Sequence, residues 1–189
     1  MLLVIDNFDS FTYNLVAYIK QLTNIEIILQ RSDKISKKEI ALMAPSKILI
    51  SPGPSHPKYA KGSLDAIDYA YAKHTPLLGI CLGHQAIGYY FGYNIIKLPY
   101  PMHGKVSKIC TRQQGLFTNL PSVFNATRYH SLVIEQTDKL NALEIDAISE
   151  DDKSIMAVHH KTAPLYGIQF HPESILTDNG LKIINKFIN

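Results

Sequence analysis

The sequence predicts an α/β protein: an open, mostly parallel sheet flanked by helices, with an antiparallel extension. Two patterns lead there. In the first half of the chain, short β-branched runs alternate with segments of helical periodicity, which is the signature of a parallel sheet with crossover helices. In the second half, strand-like runs follow one another directly, and these extend a sheet by antiparallel pairing. A chain of 189 residues suits a single domain, 1–189, that buries roughly 70% of its unfolded surface. No internal repeat, low-complexity segment or linker divides it.

The elements follow in order. Leu2–Asp6 reads as the first strand, and Ser10–Leu22 as a helix with Phe11, Leu15, Tyr18, Ile19 and Leu22 on one face. A strand at Ile25–Gln30 precedes a helix at Ser36–Met43, which opens on a Ser36-x-x-Glu39 capping box, so Lys37 and Lys38 belong to a solvated first turn. The strand Lys47–Ser51, the helix Ser63–Ala72, the strand Leu77–Ile80 and the helix Leu82–Phe91 complete the alternation. Lys105–Cys110, Phe124–Tyr129, Ala142–Ser149, Ile155–His160 and Leu165–Gln169 then read as consecutive strands. A last helix, Asp178–Phe187, turns Leu181, Ile184 and Phe187 inward.

Composition excludes several classes. The 19 Lys and Arg exceed the 16 Asp and Glu by only +3 and are dispersed, so there is no basic stripe for nucleic acid. The 2 cysteines, Cys81 and Cys110, lack C-x-x-C spacing and supply neither a disulfide framework nor a zinc cluster, which fits a reducing compartment. Cys110 reads as a plain strand residue. His159 and His160 are neighbours on a strand and point to opposite faces, so no metal site is expected there. The apolar run at Met1–Asp6 is too short for a signal peptide or a membrane span, and no basic region precedes it. A cytoplasmic protein is expected.

The chemistry begins at Gly79-Ile80-Cys81-Leu82-Gly83, set between a strand and a helix. The two glycines let backbone approach closely, so the cysteine between them stands at the mouth of a helix as on a nucleophile elbow. There the helix dipole favours thiolate, and the Leu82 N–H points at a nascent oxyanion. G-x-C-x-G also arises by chance, and buried cysteines are commonly inert packing. The added weight comes from Phe170-His171-Pro172-Glu173-Ser174. The proline biases His171 to an extended backbone, where i and i+2 share a side, so Glu173 can fix the imidazole tautomer and leave the other nitrogen to exchange a proton with Cys81.

Of the 8 histidines, His171 alone has a carboxylate so placed. His84, one turn along the helix from Cys81, reads as helix surface or packing. Gln85, at i+4, returns to the Cys81 face with an amide able to bind a polar substrate. Ser51-Pro52-Gly53-Pro54-Ser55-His56-Pro57 follows the third strand at the carboxyl edge, where open α/β sheets bind ligands. Its prolines make it stiff, and Gly53 is free to aim its N–H at an oxyanion. A plain rigid connection explains the same residues.

Taken together, these segments resemble the class I (triad-type) glutamine amidotransferases, a flavodoxin-like α/β family, and within it the glutaminase subunits (component II) of aminodeoxychorismate synthase and anthranilate synthase. The resemblance covers 6–15, Ser51-Pro52-Gly53-Pro54, Gly79 to Ala86, Met102-His103-Gly104-Lys105, Arg128 to Val133 and Gln169 to Leu176. It implies a Cys81, His171, Glu173 triad, with Gly53, Pro54, Ser55, Leu82, Gln85, Ser131 and Leu132 at the glutamine site, the last two largely through backbone. It further implies a component I partner that aminates chorismate and carries magnesium, no cofactor or metal in this chain, and a docking face near His103-Gly104-Lys105. Many members have glycine where this chain has Ser55. That departure, with Gly62-Ser63-Leu64-Asp65 and the Met102–Lys105 context, tilts the resemblance toward the folate branch, while a subunit shared with tryptophan synthesis stays open. The alternatives are the glutaminase of another amidotransferase and a catalytically silent docking subunit of the same fold.

Overall fold

One nine-stranded sheet runs through the described residues, 1–137 and 142–189, of the computed structural model. Its parallel half comprises β1 (Leu2–Asp6), β2 (Ile27–Arg31), β3 (Lys47–Ile50), β4 (Leu77–Ile80) and β9 (Leu165–Ile168), in the order β2-β1-β3-β4-β9. The antiparallel half comprises β5 (Ile95–Thr111), β6 (Val123–Ile134), β7 (Leu143–Ser149) and β8 (Ile155–His160), and continues from β9 in the order β8-β7-β5-β6.

The inner parallel strands β1, β3 and β4 carry apolar runs because both of their faces are covered. Leu2 and Val4 of β1 face a core layer shared with α1 (Thr12–Leu22) and α5 (Gly180–Ile188) through Leu15, Ile19, Ile183, Ile184 and Phe187. Leu3 and Ile5 face the opposite layer, closed by α2 (Lys37–Met43), α3 (Lys61–Lys73) and α4 (Leu82–Tyr90) through Ile40, Ile67, Ala70, Ala86 and Ile87. Ser36 caps α2 in the expected reciprocal box with Glu39.

Three expectations need correction. Leu165–Gln169 was grouped with the antiparallel strands, but β9 pairs parallel with β4 and antiparallel only with β8, so it is the seam between the two halves. The strand expected at Lys105–Cys110 begins at Ile95 and contains Pro99 and Pro101. Those prolines are tolerated because they fall in a break of the β5–β6 ladder between Lys97 and Met102, while β7 pairs with β5 only over Ile109–Thr111. Leu181 faces outward. Helix α5 starts at Gly180, whose missing Cβ makes room for the Pro172 carbonyl, and this sets the inner face at Gly180, Ile183, Ile184, Phe187 and Ile188.

Helix α4 lies directly on the sheet. A Cβ at Gly83 would stand 2.7 Å from the Ile50 carbonyl oxygen and 3.0 Å from the Ile50 side chain, and one at Gly79 would collide with the Gly83 backbone. Gly83→Ala should therefore lower the unfolding free energy by about 1–3 kcal/mol, the cost of overpacking a tight contact. Chemical denaturation measures this, and an unchanged midpoint would show that α4 is not held against β3.

Candidate active site

Strand β4 turns into helix α4 at Cys81, whose backbone sits at φ 51, ψ −99. Such a conformation costs a non-glycine residue on the order of 1–3 kcal/mol and persists only where the surroundings impose it. Here they do. The Cys81 N–H donates to the Ile168 carbonyl at 2.8 Å, and the first helical bond runs from the Gln85 N–H to the Cys81 carbonyl at 3.1 Å. The helix thus makes no claim on the Leu82 N–H. Cys81 is 5% exposed.

His171 arrives just beyond the neighbouring strand. After β9, the His171 N–H donates to the Thr127 carbonyl at 3.0 Å, and the Thr177 hydroxyl donates to the His171 carbonyl at 2.7 Å while accepting from the Thr127 N–H at 3.0 Å. These bonds fix the segment to β6. The Glu173 carboxylate accepts from His171 Nδ1 at 2.6 Å, and both side chains are buried. The imidazole is enclosed by the rings of Phe11 and Tyr129, with centroids at 5.3 Å and 5.1 Å.

With Nδ1 committed, Nε2 is the nitrogen left over. Among the described residues it has no partner in hydrogen-bonding geometry, yet the Cys81 sulfur is close enough to act on its proton. Burial works against an imidazolium, but the Cys81 sulfur and the Glu173 carboxylate outweigh it and raise the His171 pKa from 6.5 to about 10. The direction of the shift favours the imidazolium form of His171.

Cys81 opens on a cavity of about 510 Å³ whose wall includes Gly53, Pro54, Ser55, Gln85, Ser131 and Leu132. Leu82 is not in the wall; its side chain packs under Gly53, where a Cβ would lie 2.7 Å from Leu82 Cδ2 and 2.5 Å from Asn7 Cβ. His171 and Glu173 are not part of this wall, and Glu173 borders a second cavity of about 390 Å³ with Phe11 and Tyr129. Ser55 adopts φ 74, so serine takes up the left-handed backbone that glycine would hold without strain. Three wall residues were not anticipated: His56, Tyr129 and His130. Tyr129 and His130 stand directly before Ser131 in the same run, and that adjacency was the available signal.

Gln85 is more constrained than its sequence position suggests. Its Nε2 donates to the Leu132 carbonyl at 2.8 Å and to Gln169 Oε1 at 3.1 Å, so towards a ligand it presents an acceptor oxygen and no donor. Leu132 is held in turn by His130, whose Nδ1 lies 3.1 Å from the Leu132 carbonyl. The fully buried Arg128 sets that tautomer by donating from Nε to His130 Nε2 at 3.0 Å, with its other nitrogens on Ser107, Ser149 and Asp152. Burial, with help from Arg128, pushes the His130 pKa down to about 3, keeping the ring neutral. For Asp152, burial opposes ionisation, but Arg128 and the Ser154 N–H prevail and lower its pKa to about 2.

His84 is packing, and its surface alternative is excluded. It is fully buried with Gly167 pressed against it, a Cβ there falling 2.8 Å from its Nδ1, and burial lowers its pKa to about 3. Among the described residues, no group of three or more His, Cys, Asp or Glu could hold a metal ion.

A strained cysteine at a helix mouth, opening on a cavity and accompanied by a buried His–Glu pair, is an arrangement that a thiol nucleophile and its base require. The chain belongs to the class I glutamine amidotransferase family, whose model matches residues 3–189. It is 46% identical to anthranilate synthase component 2 of Azospirillum brasilense over 189 residues, covering 100% of this chain and 95% of that one. It is 43% identical to aminodeoxychorismate synthase component 2 of Klebsiella aerogenes over 189 residues, covering 100% of both. Among solved structures, a glutamine amidotransferase from Thermotoga maritima superimposes with a TM-score of 0.82 at 14% identity, over 99% of this chain and 95% of that one.

The His171 proton has a consequence for pH dependence. Its pKa is raised, so activity that needs the imidazolium declines as pH climbs toward that raised value. Glu173→Gln removes one of the two groups that hold the proton. The alkaline limb of the glutaminase pH–rate profile should therefore move to lower pH by about one unit or more, and kcat should fall roughly 10²–10⁴-fold. An alkaline limb that stays in place would show that Glu173 does not govern the His171 proton.

Proposed function

We propose that this chain is the glutaminase subunit of a chorismate-aminating synthase, with Cys81, His171 and Glu173 as its catalytic triad. The observation that carries the reading is the 2.6 Å His171–Glu173 bond behind a strained cysteine that opens on a cavity of about 510 Å³. Glutamine occupies that cavity with its carboxamide over Cys81. The thiolate attacks the amide carbon, and the oxyanion is met by the N–H groups of Leu82 and Gly53. His171 protonates the leaving ammonia. It then activates the water that hydrolyses the γ-glutamyl thioester to glutamate.

Gly53, Pro54, Ser55, Gln85, Ser131 and Leu132 hold the substrate, and Leu82 contributes through its backbone. The partner is a component I subunit that receives the ammonia and carries both the chorismate site and magnesium; this chain needs no cofactor of its own. The two named relatives, one from each chorismate system, support this assignment over other amidotransferases, and the paired His171 and Glu173 speak against a silent docking subunit. Amination at one ring position or the other is then a property of component I, so this chain can serve the tryptophan branch, the folate branch or both.

Component I docks beside the cavity mouth. His103 contacts Tyr129, with ring centroids at 5.9 Å, and Tyr129 forms part of the cavity wall, so residues 103–105 border the site. Ile175, just beyond Glu173, is 93% exposed. Glutamine hydrolysis is gated by docking, through the orientation of the Gly53 peptide, and the isolated chain is nearly idle. The chain works in the cytoplasm, away from membrane and nucleic acid; among the described residues no helix is long and apolar enough to cross a membrane.

Cys81→Ala should abolish product formation from glutamine by the reconstituted complex and leave amination by added ammonium salts nearly intact. Loss of both activities in an assembled complex would contradict the division of labour. Glutamate release by the wild-type chain should rise on addition of component I and chorismate, and full activity without them would make this a free-standing glutaminase.

A further inference from the structure

Gln169, the residue after β9, carries a polar side chain that the proposed triad does not use. It is fully buried, its N–H is fixed to the Met156 carbonyl at 2.9 Å, and its Nε2 lies 3.7 Å from the Cys81 sulfur. The orientation of the amide is settled by its other end. Gln169 Oε1 accepts from Gln85 Nε2 at 3.1 Å, so the nitrogen must face the sulfur; the reversed amide would set two donors against each other.

A fully buried amide is costly unless its donors are used. A neutral thiol is a weak acceptor, whereas a thiolate is a strong one. The N–H of Gln169 therefore has a partner worth its burial only when the sulfur is ionised. We propose that Gln169 is a further catalytic residue: it stabilises the Cys81 sulfur anion by amide N–H donation, and through Gln85 ties the sulfur to the Leu132 carbonyl in the wall of the glutamine cavity.

The contact acts twice in the reaction. In the free enzyme it supports the nucleophile. In the γ-glutamyl thioester the sulfur is a poor acceptor again, so the donor favours return of the thiolate as leaving group when water attacks. The tie to Leu132 has depth, because that carbonyl also meets His130, which the buried Arg128 holds in turn. Sulfur position and the glutamine-lining strand are thus set by one chain of hydrogen bonds.

The inference rests on Cys81 being the nucleophile of the glutaminase reaction, but its first test needs neither glutamine nor a partner. In a chain carrying Cys110→Ala, so that Cys81 is the sole thiol, the rate of alkylation by iodoacetamide is followed against pH. Gln169→Met keeps the volume and removes the donor; Gln169→Glu sets a second anion against the sulfur. The midpoint of the alkylation profile should rise by about one pH unit or more in Gln169→Met, the direction expected when a hydrogen bond to the charged form is lost, and further in Gln169→Glu. Glutamate release in the complex should lose about tenfold or more in kcat with KM changed less than about threefold, since the contact is made to the sulfur and not to the substrate. Should the buried carboxylate of Gln169→Glu unfold the chain, Gln169→Met decides alone. A folded Gln169→Met chain that alkylates with the unsubstituted midpoint overturns the proposal and leaves Gln169 a packing residue. A shifted midpoint without any glutaminase activity in the complex of the parent chain with component I would instead fault the glutaminase reading.

Discussion

The pairing of β4 with β9 is the constraint on which the catalytic geometry depends. The two strands run parallel in register, Ile80 opposite Ile168, so they end at the same level. The residue after each, Cys81 and Gln169, leaves the sheet side by side, and the Cys81 N–H donates across to the Ile168 carbonyl. His171 follows two residues later. Cys81 and His171 are far apart in the chain, yet the ends of the strands that lead to them are held at strand spacing, which is nearly invariant in a sheet. Site and sheet edge then coincide at the carboxyl ends of the parallel strands, where the backbone fans out and leaves room for a ligand.

That geometry is held at some cost. Cys81 occupies a strained backbone conformation, Ser55 another, and the polar side chains of Arg128, His130, Gln169, His171 and Glu173 are withdrawn from water. Among the described residues, the buried side-chain nitrogens and oxygens left without a hydrogen-bond partner are the two His84 nitrogens, His171 Nε2 and one Glu173 oxygen. The apolar layers on the two sheet faces supply the compensating burial, and the glycine contacts between α4 and β3 stop the elbow from relaxing. Function and stability are in tension at the elbow, and the fold is built to absorb it.

Much of this was legible in the sequence because the relevant signals are local. The apolar runs of β1, β3 and β4 are buried on both faces, and the His171-Pro172-Glu173 spacing states its own geometry. Other features were hidden for physical reasons. Pro99 and Pro101 mask the first part of β5, since a ladder break that tolerates proline cannot be read from composition. The parallel pairing of β9 depends on which strand it meets, and periodicity is silent about that. Leu181 was misplaced because the phase of α5 is set by Gly180 against Pro172, a contact between segments. Gln169 carries no charge and no motif of its own; only the amide network with Gln85 and Cys81 distinguishes it from an ordinary strand residue.

The central claim is that Cys81 forms a covalent γ-glutamyl intermediate with His171 as its proton partner. The most direct measurement is mass spectrometry of the complex after exposure to a diazoketone analogue of glutamine, which alkylates an activated thiol at the glutamine site. The account predicts one adduct, on the peptide bearing Cys81, with Cys110 unmodified and labelling abolished by His171→Ala. Modification of Cys110, or equal labelling of Cys81 with and without His171, would contradict it.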